Sequence, residues 1–129
     1  MKMNKKGFTI VELVIVIAVI AILAGVMIPT FGGVIESANE SSAQQQAKNV
    51  HTSLVAEDAE LINEVVYITV AKGNGYTFKI ENGSFSTATA PDTEAEGAQF
   101  KKVTKTFGAY SIPSEATIYV PVTCTVPTT

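Results

Sequence analysis

The apolar part of the chain is introduced by the sequence Lys-Lys-Gly-Phe-Thr-Ile-Val-Glu-Leu at residues 5–13. The stretch that continues from Leu13 to Ile28 carries no charged side chain. Lysines before an apolar run keep the N-terminus in the cytoplasm, so the rest of the chain is expected to lie on the outer side of the membrane. As a helix, the 21 residues from Phe8 to Ile28 would be about 31 Å long, enough to cross the hydrocarbon core of a bilayer.

A secretory signal peptide and a simple signal anchor are the two ordinary interpretations of such a segment. The apolar part of a signal peptide is about 7 to 15 residues long and ends at a small-residue cleavage site, whereas this run is longer and no such site is well defined after it. A signal anchor explains the length and the lysines, but it gives no reason for a carboxylate at Glu12. That carboxylate needs an explanation of its own.

Glu12 is costly inside a membrane helix. A charged side chain at the centre of such a helix costs about 2.5 to 3.5 kcal/mol on insertion scales, less near the interface, and marks a functional site or a partner. Its own helix offers no basic residue one turn further along. Cleavage after Gly7, however, would create an α-amino group on Phe8, four residues upstream. In a helical assembly this cation could pair with Glu12 of a neighbouring copy, so that acid and amine are compensated only in the polymer.

These residues resemble the class III prepilin signal of type IV pilins and pseudopilins, in which a basic leader, a glycine and a phenylalanine precede an apolar stretch with a glutamate four residues after the phenylalanine. The resemblance covers about Lys5 to Gly33 closely. It implies cleavage between Gly7 and Phe8 by a membrane aspartyl prepilin peptidase, followed by N-methylation of Phe8, which leaves the nitrogen cationic.

The same resemblance implies a precursor that passes once through the bacterial cytoplasmic membrane and then polymerises into a type IV pilus at the cell surface. Its implied partners are further copies of the chain, other pilins and an inner-membrane assembly platform. A pseudopilin of a type II secretion or competence apparatus is the alternative within the family. A membrane-tethered binding module that never polymerises is the alternative outside it, and such a module would need neither Gly7 nor Glu12.

The expected fold class is α+β and pilin-like, with a long N-terminal helix packed on a small antiparallel β-sheet. We divide the chain into a leader (1–7), a transmembrane and polymerisation helix (8–29), the amphipathic half of the same helix (30–64) and an antiparallel β head (65–129). Pro29 is a candidate helix break, because proline removes a helical hydrogen bond and kinks or breaks a helix. It either ends the membrane helix at the interface or, by resemblance, marks a stretch that loses helical order in filaments.

The apolar pattern beyond Gly33 predicts a helix face that packs against the protein's own sheet, because its residues recur every three, four or seven positions. These residues are Ala43, Ala47, Val50, Leu54, Leu61 and Val65. From Val65 the period becomes two, and turn residues separate three strands of a predicted meander. The predicted strands are Val65–Val70, Tyr76–Glu81 and Phe85–Ala90, followed by Phe100–Phe107 and Thr117–Val126. Pro121 in the last one argues for an edge position or a break.

The charge balance makes nucleic acid an unexpected partner. Nine lysines stand against 12 acidic residues, for a net charge of −3. Removal of residues 1–7 would take away three lysines and leave six against 12, a net charge of −6. An acidic surface repels phosphate backbones, and the sequence contains no basic patch with interleaved aromatic residues.

No combination of residues indicates catalysis, a cofactor or a metal. His51 is the only histidine and is expected to be a partly exposed helix residue. Cys124 is the only cysteine, so it is expected to be a buried or half-buried apolar residue without an intrachain disulfide. Asp92, Glu94 and Glu96 alternate in a loop that could hold calcium, although a solvated charge run is the simpler interpretation. We therefore expect a protein that is not an enzyme.

Overall fold

The computed structural model describes Gly7 and residues 9–129. Most of the predicted leader, residues 1–6, and the predicted methylation site Phe8 lie outside the described residues. The chain forms two compact units, one up to Ser37 and the other from Ala38 to Thr129.

A single long helix, α1 at Ile10–Glu57, begins in the first unit and ends in the second. Within the part of the chain that the structure describes, it is the one helix long and apolar enough to cross a membrane, judged by length and composition only. Every residue from Thr9 to Ala38 is exposed. The long N-terminal helix of the expected fold is therefore confirmed.

Pro29 lies inside α1 and does not end it. Of the two alternatives for this residue, termination of the membrane helix at the interface is therefore wrong. Proline has no N–H to donate to the carbonyl of Gly25, four residues earlier, so this turn lacks one helical hydrogen bond. In the adjoining turn the Thr30 hydroxyl donates to the Val26 carbonyl at 3.0 Å. Loss of helical order here on assembly stays a prediction.

The α-helix ends at Glu57, short of residue 64, and a 3₁₀ helix at Ala59–Asn63 follows it. Asp58 adopts an extended backbone with φ −142° and accepts a hydrogen bond from the Glu60 N–H at 3.1 Å. This is the N-cap arrangement, in which a carboxylate satisfies an N–H that has no partner within the helix. Leu61 is buried as predicted, but it is presented by the 3₁₀ helix.

Seven strands follow along the chain. They are β1 at Val66–Val70, β2 at Tyr76–Glu81, β3 at Ser84–Thr87, β4 at Phe100–Val103, β5 at Thr106–Phe107, β6 at Tyr110–Ser111 and β7 at Ala116–Pro121. The main sheet is antiparallel with the order β3-β2-β1-β7-β4, and β5 pairs with β6 in a separate hairpin. The predicted meander of β1, β2 and β3 is confirmed, and so is the α+β class.

Four predicted strands differ from the observed ones, the first only because β1 begins at Val66 and not at Val65. The strand predicted at Phe85–Ala90 is β3, which starts and ends earlier. The strand predicted at Phe100–Phe107 is split between the two sheets as β4 and β5. The strand predicted at Thr117–Val126 is β7, which ends at Pro121, so the predicted break at this proline is confirmed. β7 lies between β1 and β4, so the alternative of an edge position is wrong. Pro121 is tolerated there because it is the last residue of the strand.

The hydrophobic core of the second unit lies between α1 and one face of the main sheet. Alternate residues of β1 are buried because successive side chains of a strand point to opposite faces. The predicted helix stripe is confirmed by the fully or almost fully buried Ala43, Ala47, Val50 and Leu54. Val65 is only half-buried, and Val66 takes the core position. Because side chains alternate between the two faces of a strand, a prediction that is off by one residue exchanges the buried and the exposed positions.

Candidate functional site

Two reciprocal hydrogen bonds hold the start of α1. The Thr9 backbone N–H donates to Glu12 Oε2 at 3.0 Å, and the Glu12 backbone N–H donates to Thr9 Oγ1 at 3.2 Å. This is a capping box, in which a threonine and a glutamate three residues later each satisfy an N–H that the helix leaves free. Glu12 also lies in the first turn of α1, where the positive end of the helix dipole stabilises a carboxylate.

The capping box gives Glu12 a partner within one chain that the sequence analysis did not assign, because the Thr9 N–H donates to its carboxylate. A backbone N–H carries no charge, so pairing of Glu12 with the Phe8 amine of a neighbouring copy stays a prediction. The spacing Thr-x-x-Glu at residues 9–12 is a visible helix-start signal in the sequence. Only one carboxylate oxygen is engaged, since Glu12 Oε1 has no hydrogen bond among the described residues.

Gly7 lies outside α1 and is exposed. A Cβ built on it would have no heavy atom of the described residues within 4 Å. The fold of the single chain therefore leaves room for a side chain at residue 7. A requirement for glycine at this position would have to come from a partner protein.

The segment that follows the capping box is apolar on every side. Its large hydrophobic side chains between Ile10 and Ile35 are exposed, from 48% for Val19 to 82% for Ile10. An isolated soluble protein rarely exposes a continuous apolar surface of this extent, which marks contact with a membrane or with other chains. The predicted processing signal, the capping box and the apolar surface thus adjoin one another along the sequence.

His51 in the second unit is buried, which corrects the expectation of partial exposure. It is only 7% exposed, and its ring meets the Phe85 ring edge-on at 5.7 Å between centroids. The Lys48 ammonium lies 5.7 Å from the centroid of the same Phe85 ring. Within the described part of the chain, His51 Nε2 has no hydrogen-bond partner. Burial lowers the pKa of His51 below its usual 6.5, because a charged imidazolium is poorly solvated there.

We expect the second unit to lose stability as the pH falls below 6.5, the usual pKa of histidine. Above that pH His51 is neutral in both the folded and the unfolded chain. Below it the unfolded chain binds a proton that the folded chain resists, so the free energy of unfolding falls until the lowered folded pKa is passed.

Urea unfolding of the full-length protein in detergent at about pH 7.5 and about pH 5.5 measures this loss. The matched variant His51→Leu fills the site without a titrating group and is expected to remove most of the difference between the two pH values. An equal loss in the variant would assign the effect to carboxylates instead.

No group of three or more His, Cys, Asp or Glu side chains within the described residues could hold a metal ion. The Asp92 carboxylate is used locally, because it accepts hydrogen bonds from the Glu94 and Ala95 N–H groups at 2.9 and 3.2 Å. Cys124 is half-buried, as expected, and its Sγ lies 3.7 Å from Asp58 Oδ2. That thiol therefore contacts the turn that ends α1.

One comparison with known proteins points to the same N-terminal segment. Residues 2–28 match a family model described as the prokaryotic N-terminal methylation motif. The chain is 38% identical over 78 residues to prepilin peptidase-dependent protein A of Clostridium perfringens, covering 57% of this chain and 55% of that protein. It is 39% identical over 74 residues to the type IV wide pilus major component PilA4 of Thermus thermophilus, covering 57% of this chain and 47% of that protein. The chain spans about half the length of the curated relatives it matches. No solved structure matches it.

Proposed function

We propose that this chain, whose residues 2–28 match the N-terminal methylation motif and which is similar to a type IV pilus major component, is a prepilin of the type IV pilin family, the precursor of a structural subunit of a type IV pilus. In this proposal residues 1–7 are a leader that a prepilin peptidase removes between Gly7 and Phe8, and the new Phe8 amine is methylated. In the precursor, residues 8–29 cross the cytoplasmic membrane once. They later pack against the same segment of other subunits in a filament at the cell surface, built with an assembly platform and other pilins.

The observation that carries the proposal is the exposed apolar surface of α1, most of which lies within the methylation motif at residues 2–28. A surface of that length needs lipid before assembly and other helices afterwards. The same side chains from Ile10 to Ile35 can serve both environments, because neither requires polar partners. A tethered binding module would have no use for the methylation motif that contains most of them.

In this proposal Glu12 serves two purposes at once. Its Oε2 stays in the capping box with the Thr9 N–H. Its Oε1, which has no hydrogen bond among the described residues, accepts from the methylated Phe8 ammonium of a neighbouring subunit. A carboxylate has room for several donors, so capping and pairing between subunits are compatible. The ion pair selects subunits that have been cleaved, because an uncut chain has no amine at residue 8.

The test is mass spectrometry of the N-terminal peptide of this protein in the sheared surface fraction of its native host. Digestion after glutamate separates the short peptide from Phe8 to Glu12 when the leader has been removed. An abundant peptide that starts with methylated Phe8 in this fraction is the expected result. Processed protein confined to the membrane would indicate a pseudopilin instead, and an uncut form that begins at Met1 would overturn the proposal.

A further inference from the structure

Two turns that flank β2 both contain an Asn-Gly pair, but they use the glycine N–H differently. In the turn from β1 to β2, the Gly75 N–H donates to the Lys72 carbonyl at 3.0 Å. The same turn is tied to α1, because the Lys72 ammonium donates to Ser42 Oγ at 2.6 Å. Asn74 therefore precedes a glycine whose N–H is engaged in a turn that is held in place.

The turn from β2 to β3 is a two-residue hairpin turn formed by Asn82 and Gly83, with φ angles of 50° and 77°. The flanking residues Glu81 and Ser84 pair directly. Both turn residues are exposed. Within the described residues the Gly83 N–H has no hydrogen bond, and a Cβ built on Gly83 would meet no atom within 4 Å.

We propose that Asn82 is a site of spontaneous deamidation in the folded protein and that Asn74 is protected. The deprotonated Gly83 backbone nitrogen attacks Asn82 Cγ, so that an N–Cγ bond forms while the Cγ–Nδ2 bond breaks and ammonia leaves. Water then opens the resulting five-membered succinimide at one of its two carbonyls and yields aspartate or isoaspartate. No oxidant or reductant is needed. At Asn74 the attacking nitrogen must first give up its hydrogen bond to Lys72.

Isoaspartate at residue 82 would change the hairpin as well as its charge. It places the former Cβ in the main chain, whereas a two-residue primed turn requires two residues of ordinary length with positive φ. β3 is an edge strand that pairs only with β2, so no second strand holds it when the turn loosens. Phe85, the ring that meets His51, lies on β3. Isoaspartate at 82 is therefore expected to uncover His51.

The experiment compares the two sites in one protein. Full-length protein in detergent is incubated at mildly alkaline pH and then digested briefly with trypsin, whose cuts at Lys72, Lys79 and Lys101 place Asn74 and Asn82 in separate peptides. The mass increase that accompanies conversion of asparagine to aspartate or isoaspartate is expected to appear several-fold faster in the peptide 80–101 than in the peptide 73–79. Isoaspartate in it is verified by its methylation with isoaspartyl methyltransferase. Incubation in urea is expected to bring the two rates together.

The variant Asn82→Asp carries the new charge on an ordinary backbone and is the matched control. Hydrogen exchange at β3 is expected to accelerate in aged wild-type protein and to stay unchanged in this variant. Equal rates at the two sites in folded protein, or faster conversion of Asn74, would overturn the proposed site. Unchanged exchange in isoaspartate-containing protein would overturn its effect on β3.

Discussion

Replacing Gly7 with leucine is expected to stop conversion of the precursor to the trimmed form almost completely, while the second unit keeps its wild-type stability. Gly7 is exposed and lies outside α1, and a Cβ there meets no atom of the described residues, so the second unit is expected to keep its stability. A peptidase pocket shaped for glycine has no room for a branched side chain. The ratio of precursor to trimmed protein in membranes that contain the peptidase measures the effect.

Gly25→Leu is the matched control for this experiment. Gly25 lies within α1, and a Cβ on it likewise meets no atom of the single chain, so this variant adds the same bulk away from the cleavage point. It is expected to be trimmed at the normal rate. Normal trimming of Gly7→Leu would count against the proposed cleavage site.

Glu12→Gln is expected to be inserted and trimmed normally but to be absent from surface filaments. Glutamine can replace glutamate in a capping box, so the start of α1 is preserved, and only the charge is lost. Breaking a buried ion pair costs about 3 to 5 kcal/mol, which is enough to keep a subunit out of a filament. The amounts of protein in the membrane and in the sheared surface fraction provide the measurement.

Two further variants separate the charge of Glu12 from its role as a cap. Thr9→Val removes the hydroxyl that accepts from the Glu12 N–H, at a cost of about 0.5 to 2 kcal/mol, but keeps the carboxylate, so filaments should still form. Glu12→Ala removes both cap and charge and is expected to fail like Glu12→Gln. If Glu12→Gln forms filaments and Glu12→Ala does not, the cap is the essential function and the ion-pair proposal is wrong.

The sequence predicted the local features of this protein well, because hairpin turns and apolar runs are encoded by neighbouring residues. Tyr76–Glu81 was placed without error, and the Asn82-Gly83 turn specified its pairing with β3. The end of α1 was missed, because an aspartate that caps a new helix resembles one on a solvated helix face. Asp58 takes the first of these roles.

The errors over His51 and β7 have a common cause, which is contact between distant segments. Burial of His51 depends on Phe85, a residue from β3, and no local pattern around His51 reveals that neighbour. The central position of β7 likewise depends on β4 pairing with it across the chain. At the N-terminus the opposite holds, since the Thr-x-x-Glu spacing of Thr9 and Glu12 is by itself a sequence signal for a capping box.

The two edges of the main sheet bear on how the protein would behave at the high local concentration of the proposed fibre. β3 has four residues and exposes Ser84, Ser86 and Thr87, while β4 carries two adjacent lysines. Short strands and lysines at a sheet edge discourage the addition of another chain's strand. Subunits at high local concentration would therefore resist cross-β aggregation. The regular packing of subunits in the proposed fibre would then be determined by contacts between helices.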